Sequence, residues 1–265
     1  LGTAVVMGLA MLAGMPTAAA FVIGAVFAQS SSTIIGSQLT EQAEQNTPHG
    51  RLGLAVSVFQ DVTAVPFLVV IPVLGMAVSA DALAGILGLA MAKAALAFAL
   101  VFFVGKWLFR PLFHIVTKQQ SLEALTLAVL LVVLLAAWST NQLGLSLAFG
   151  AFLAGMMLGE TEFRHQVESS IRPFRDVLLG LFFIGVGMLL NPASLPDIWP
   201  QALLGMVVLL LSKIIIVLTV VRRSGFDWES SLRTALIVSV GGEFGLALLA
   251  LALDAQVLDI RLGQV

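Results

Sequence analysis

The chain has 265 residues, of which 59% are hydrophobic and only 11% charged, and its mean hydropathy is +1.05. Soluble domains carry roughly a quarter charged residues, so this chain cannot coat a water-facing globule of its size, which excludes a soluble enzyme, a disordered tail and a basic nucleic-acid reader. The net charge of -2 carries little information, and the absence of cysteine removes disulfides, thiolate metal sites and thiol nucleophiles.

A hydrocarbon core of about 30 Å takes roughly 20 apolar residues as helix. Apolar runs suited to it fall at approximately 4–14, 19–38, 53–76, 82–105, 122–140, 144–159, 177–190, 201–221 and 234–253. Nine in succession predict an all-α, polytopic helical membrane protein, with residues 1–265 forming a single transmembrane domain. The first run is short and the chain begins at Leu1 rather than a methionine, so the chain reads as a segment of a longer protein; the runs at 144–159 and 177–190 are also short and read as extending into their charged flanks.

The second run contains Gln29-Ser30-Ser31-Ser32-Thr33. Four consecutive hydroxyls either bond back to carbonyls one turn earlier in a continuous helix, or mark a broken helix whose freed carbonyls line an ion site. The third run carries Gln60-Asp61 well inside the span, followed by Pro66 and Pro72, each of which removes a backbone donor. An ionisable group at bilayer depth costs about 2.5–3.5 kcal/mol and is a functional candidate by default. Asp61 is therefore read as a carboxylate at which proton and cation compete, against the plainer reading of a structural bond to a neighbouring helix. Lys93, in the fourth run, has alanine-rich surroundings that let it snorkel, and reads as structural. Gly185 and Gly187 permit close helix approach in the seventh. Lys213 lies mid-span in the eighth, with Asp61, Glu243 or a helix C-terminus as its candidate partners. The ninth is interrupted by Gly241-Gly242-Glu243. There Glu243 either neutralises a half-helix N-terminus or contacts the ion directly.

Charge sets the orientation. Arg51; Lys106, Arg110 and Lys118; Arg164, Arg172 and Arg175; and Arg222, Arg223 and Arg233 fall in every second connection, and the intervening connections hold no Lys or Arg. The basic connections are cytoplasmic by the positive-inside rule, which puts residue 1 inside and residue 265 outside. His49, His114 and His165 lie in these connections and read as solvated, and Asn141 and Gln142 read as an external turn. The two interrupted runs then cross in opposite directions, the sequence pointer to an inverted-repeat transporter with its site at the midplane. No P-loop, HExxH or GxSxG occurs, and the glycines near 185 lack the third member of a dinucleotide fingerprint.

Ser31-Ser32-Thr33, then Val58-Phe59-Gln60-Asp61-Val62-Thr63-Ala64-Val65-Pro66, then Ala148-Phe149-Gly150-Ala151-Phe152-Leu153-Ala154-Gly155, Leu181-Phe182-Phe183-Ile184-Gly185-Val186-Gly187-Met188 and Gly242-Glu243-Phe244 follow in order along the chain. Together they resemble the cation–proton antiporter 2 family, and within it the glutathione-gated potassium-efflux (Kef-type) antiporters, from roughly residue 20 to 250. The resemblance implies an inverted-repeat antiporter fold with two crossed discontinuous helices. It also implies a core domain moving against a static dimerisation domain, and a homodimer in the bilayer of the cell inner membrane. Asp61 is then the cation- and proton-binding group, for potassium first and sodium second. Gln60, Ser31, Ser32 and Thr33 support the site, Lys213 and Glu243 are charge partners at the discontinuous helices, and the lysine interacts with the aspartate. With Gln60 rather than a second acid beside Asp61, the implied exchange is one-for-one and electroneutral. About three leading spans, at least one closing span and a cytoplasmic nucleotide- and glutathione-binding regulatory domain are implied beyond this segment. No cofactor is implied within it. Two other readings remain: a channel-like potassium pathway through the same site, and an intramembrane enzyme using Asp61 and Glu243 as paired carboxylates.

Overall fold

The structure, a computed structural model, describes residues 1–76, 80–118, 121–188 and 195–258. Every regular element among them is an α-helix: α1 Gly2–Leu12, α2 Thr17–Ala28, α3 Ser32–Glu41, α4 Pro48–Leu74, α5 Ala80–Lys118, α6 Leu122–Gln142, α7 Leu147–Gly159, α8 Arg164–Met188, α9 Leu195–Arg223, α10 Trp228–Val238 and α11 Glu243–Asp254. Each of the nine apolar runs lies mainly on these helices, two of them are broken within (at 29–31 and 239–242), and the last two residues of the run at 177–190 lie outside the described residues. Among the described residues five stretches are long and apolar enough to cross a membrane: Thr17–Glu41, Pro48–Leu74, Ala82–Val116, Glu123–Gln142 and Trp199–Arg223. The pair α10 and α11, bent by 42° at its break, makes a sixth if taken as one span, and α1 and α7 are shorter apolar helices.

Helix starts follow local chemistry. An N-cap oxygen satisfies one of the amides a helix cannot pair internally. Ser31 accepts from the amide of Ile34, Ser121 from Ala124, Ser146 from Phe149 and Asp227 from Ser230. The α6–α7 turn passes through Gly144 at φ 78°, a conformation that L side chains rarely adopt.

Several helices run further into the charged connections than the apolar pattern indicates. The α5 helix continues through Pro111 to Lys118, and α8 begins at Arg164. Lys, Arg and Glu are good helix formers, and the apolar boundary marks where hydrocarbon ends rather than where the helix ends. His114 and His165 are thus helical, and His114 packs edge-on against Phe163 with ring centroids 5.3 Å apart. His49, read as solvated, is buried at the start of α4. Asn141 and Gln142 are the last residues of α6 rather than a turn.

The chain divides into two compact units, one of Leu1–Phe67, Leu74–Ala77 and Leu189–Val265, the other of Leu68–Val73 and Val78–Met188. In the second unit, Phe113, Leu125, Val129, Val132, Leu158 and Phe163 form the heart of a buried cluster. A side chain at Gly150 would run into Thr140 Oγ1 and come within 2.5 Å of the Ala136 carbonyl, so α6 and α7 are in backbone contact there. Lys93 reaches the α6–α7 turn, where its ammonium lies 3.6 Å from the position a Cβ on Gly144 would take. Gly185 and Gly187 make no close approach among the described residues, since a Cβ at either would meet nothing within 4 Å.

The first unit is built on small residues. Ala19, Ala20, Gly24 and Ala25, with Val22 the one larger member, are the buried face of α2, which lets backbones approach closely, the main attraction left between helices in lipid. A Cβ on Gly24 would strike the carbonyl of Thr3 on α1, and one on Gly245 would sit 2.8 Å from the carbonyl of Val26. So α2 packs against α1 on one side and α11 on another. The α4 helix passes Ile35 of α3 and Ile237 of α10 at Gly53, where both would lie in van der Waals contact with a Cβ.

Candidate functional site

Two helix breaks meet in the first unit. The second run stops at Ala28, turns extended at Gln29 (φ -79°, ψ 140°) and resumes at Ser32, with Ser31 as N-cap. The ninth stops at Val238 and resumes at Glu243, with Gly242 as N-cap. The first interruption is therefore centred on Gln29–Ser31, slightly before the hydroxyl run suggests, and Ser32 and Thr33 begin α3. Each break leaves backbone groups without helical partners, and the two breaks supply one another. Ser30 Oγ donates to the Val238 carbonyl over 2.6 Å, satisfying the end of α10. A Cβ on Gly242 would lie 2.9 Å from the Ser30 carbonyl carbon and oxygen, so only glycine fits without displacement. Gly241 is exposed and a Cβ there would meet nothing, so Gly242 carries the steric requirement of the pair.

The charged groups match the polarity of the helix ends. Glu243 is the first residue of α11, and it also accepts from Ser31 Oγ (2.9 Å) and Thr33 Oγ1 (3.1 Å) in the first turn of α3. One carboxylate thus serves two helix N-termini, where backbone dipoles favour negative charge. Lys213 Nζ donates to the Gln29 carbonyl over 2.7 Å, at the C-terminal end of α2, where a cation is favoured. Of the three partners open to Lys213 from the sequence, the structure takes the helix C-terminus. Among the described residues no salt bridge joins Lys213 to Asp61 or Glu243, so the lysine–aspartate contact implied by the resemblance is not formed here.

Asp61 sits half-buried on α4, with the Ser32 hydroxyl facing its carboxyl and Glu243 within electrostatic range. Both Pro66 and Pro72 are absorbed into the same continuous helix. Beside Asp61, the amide oxygen of Gln60 is buried without a hydrogen-bond partner. Gln60 and Lys213 face a cavity of about 350 Å³ that is otherwise walled mainly by apolar residues, Phe27, Val56 and Phe59 among them. The sequence reading passed over one residue here. Gln29 is fully buried, and neither its amide oxygen nor its amide nitrogen has a partner among the described residues. The signal was available: a carboxamide directly before a hydroxyl run, in a span otherwise apolar.

Outside the spans, Glu44 ties the α3–α4 connection to α10. Its Oε2 is 2.9 Å from His49 Nε2, and its Oε1 accepts from Arg233 over 3.2 Å. The hydrogen bond from His49, helped by the charge of Arg233, holds the Glu44 carboxyl below its ordinary range.

The family model for the transmembrane region of sodium/hydrogen exchangers matches residues 1–263. A putative K(+) efflux antiporter KefB of Alkalimonas amylolytica is 60% identical over 252 residues, covering 95% of this chain and 38% of that protein. The chloroplastic K(+) efflux antiporters 1 and 2 of Arabidopsis thaliana are 36% and 37% identical over 268 residues, covering 98% of this chain and 22% and 23% of theirs. The chain thus spans well under half the length of these curated relatives. Matched along nearly all of its own length by the transmembrane family model, and most similar among these three to a Kef-type protein, the chain belongs to the sodium/hydrogen exchanger transmembrane family.

Proposed function

We propose that this chain is the ion-translocating part of a monovalent cation:proton antiporter, with potassium as the favoured cation and Asp61 as the exchange site. The observation that carries the reading is the division of labour at the meeting breaks. Glu243 and Lys213 each answer a helix end, whereas Asp61 faces a hydroxyl and has no salt-bridge partner among the described residues. A carboxylate without a resident cation is free to take one from solution, or a proton instead. Moving it empty and charged through an apolar barrier is costly, and that cost couples the two fluxes. Ser32 then supports the site directly, while Ser31 and Thr33 act through Glu243. With Gln60 as neighbour, one carboxylate exchanges one cation for one proton. The likeness to potassium-efflux antiporters favours potassium, and membership of the sodium/hydrogen exchanger family keeps sodium as the second choice.

The reading includes a position in the cell inner membrane with the basic connections facing the cytoplasm, a homodimer, and a cytoplasmic regulatory domain in the whole protein. The test uses the full-length protein in sealed liposomes with an inside-acid pH gradient and a fluorescent pH reporter. Potassium-dependent collapse of the gradient that is insensitive to clamped voltage, and absent in Asp61→Asn, is the expected result. Equal activity in Asp61→Asn would move the site elsewhere. Potassium flux with no proton counterflow would replace exchange with a channel-like pathway.

A further inference from the structure

Among the described residues, three buried side-chain atoms have no hydrogen-bond partner: Gln29 Oε1, Gln29 Nε2 and Gln60 Oε1. All three belong to glutamines that flank the site, one opening the break at Ser30 and the other adjoining Asp61. Buried polar atoms are nearly always paired, because leaving one unmade forfeits its hydration. Gln60 lines the cavity, and so does Lys213, which is held on the Gln29 carbonyl; unmade bonds on two residues tied to that cavity point to a ligand rather than to loose packing.

The neighbouring groups are already engaged. Ser30 Oγ donates to Val238, Ser31 Oγ donates to Glu243 and accepts from Ile34, Thr33 donates to Glu243, and the Gln29 carbonyl holds Lys213. Besides the Asp61 carboxylate, the side-chain oxygens left for an ion among the described residues are those of the two carboxamides. A neutral amide oxygen is a hard donor of the kind that replaces water around an alkali cation. The Lys213 ammonium, fixed at the Gln29 backbone, repels a bare ion, so an ion here keeps part of its water shell. An ion-bound water is then the acceptor for Nε2.

We infer that the Gln29 carboxamide is a ligand of the transported monovalent cation, acting with Gln60 to replace part of its hydration shell. This rests on the exchange reading of Asp61, and deepens it by adding a residue to the cation site. The chemistry is binding alone; no bond is made or broken.

The test compares Gln29→Met, of similar shape but without the amide, with Gln29→Asn, which keeps an amide one methylene short. Both are made in the full-length protein and assayed in liposomes beside Asp61→Asn. For Gln29→Met the expected result is a KM for potassium raised about 5- to 10-fold, equivalent to about 1–1.4 kcal/mol, with the maximal rate within twofold. Gln29→Asn should fall between Gln29→Met and the unmodified protein. Potassium should raise the unfolding temperature of the unmodified protein and raise that of Gln29→Met less. A merely structural amide gives the opposite pattern: Gln29→Met gains stability without potassium, its potassium-dependent shift is unchanged, and its KM stays within twofold. That result overturns the inference. If Gln29→Met does not yield folded protein, Gln29→Asn decides by the same two readouts. Activity surviving in Asp61→Asn sinks the exchange reading itself, whereas loss in Asp61→Asn with an unaltered KM in the Gln29 variants sinks only this inference.

Discussion

Glu243 tests whether the breaks are held by electrostatics or merely by packing. Its carboxylate accepts two hydroxyl hydrogen bonds, at 2.9 and 3.1 Å, and stands at the N-termini of α3 and α11. Hydrogen bonds to a charged group are worth about 1.5–3 kcal/mol each, against about 1 for a neutral one. Each helix N-terminus adds about 0.3–1 kcal/mol for a nearby negative charge. Glu243→Gln keeps an acceptor oxygen but loses the charge, and losing a half-buried charge also relieves some desolvation. The net destabilisation is about 2–4 kcal/mol, or a fall of roughly 5–15 °C in unfolding temperature for a domain of this size. The assay is thermal unfolding of the purified protein in detergent, run as a double-mutant cycle with Thr33→Val. Thr33 is the better partner because Ser31 also caps α3 through Ile34, so Ser31→Ala would remove two interactions at once. A coupling energy near 1 kcal/mol between Glu243 and Thr33 is expected. Equal stability of Glu243→Gln and a coupling near zero would refute the electrostatic account and leave the breaks to steric fit alone.

Three further outcomes follow from the same geometry. Gly242→Ala places a methyl 2.9 Å from the Ser30 backbone and should cost about 1–3 kcal/mol, with exchange reduced in liposomes, whereas Gly241→Ala should be close to neutral in both assays. Lys213→Met leaves the Gln29 carbonyl without its donor and should destabilise by about 1–3 kcal/mol, with Lys213→Arg recovering stability by offering the carbonyl a donor again. Glu44 is held below its ordinary pKa of 4.5 by His49 and Arg233. Its stabilising contribution is present above that value and is lost as pH falls through the lowered one. Glu44→Gln should therefore be less stable than the unmodified protein at neutral pH and converge with it in acid, as unfolding curves across pH would show.

How much could be read in advance depended on which physical effect wrote the pattern. The helices were legible because the bilayer demands long apolar runs, and no soluble core leaves so many in series. The breaks were legible because hydroxyls and glycines are out of place at bilayer depth. The continuation of α5 to Lys118 was not, because hydropathy reports the solvent a residue meets rather than where a helix ends, whereas the extension of the short run at 177–190 into its charged flank, back to Arg164, was legible from its length. His49 was misread for a related reason: its burial comes from Glu44 and Thr47 folding back over it, through bonds of 2.9 and 3.2 Å. A turn of that kind leaves no periodic trace. Lys213 shows the limit of a different sort. Three partners were chemically equivalent in sequence, and only the extended backbone at Gln29 offers a carbonyl within reach.

That choice of partner bears on how the site can work. If Lys213 were paired with Asp61, an arriving cation would first have to displace an ammonium, and proton binding would strand a buried lysine charge. With Lys213 on the end of α2 and Glu243 between the starts of α3 and α11, the two fixed charges are opposite in sign and each is answered locally. The pair of broken helices is then neutral as a frame, and under the exchange proposed above the net charge of the site depends on Asp61 and its occupant. A cation or a proton leaves it neutral, and an empty carboxylate leaves it charged. Under the proposed exchange, this is the arrangement in which both loaded forms can cross and the empty one cannot. Lys213→Met should consequently weaken exchange through loss of the frame, lowering the maximal rate while leaving the apparent pKa of the pH–rate profile near that of the unmodified protein. A profile displaced by a full pH unit would instead mean that Lys213 speaks directly to Asp61 during transport.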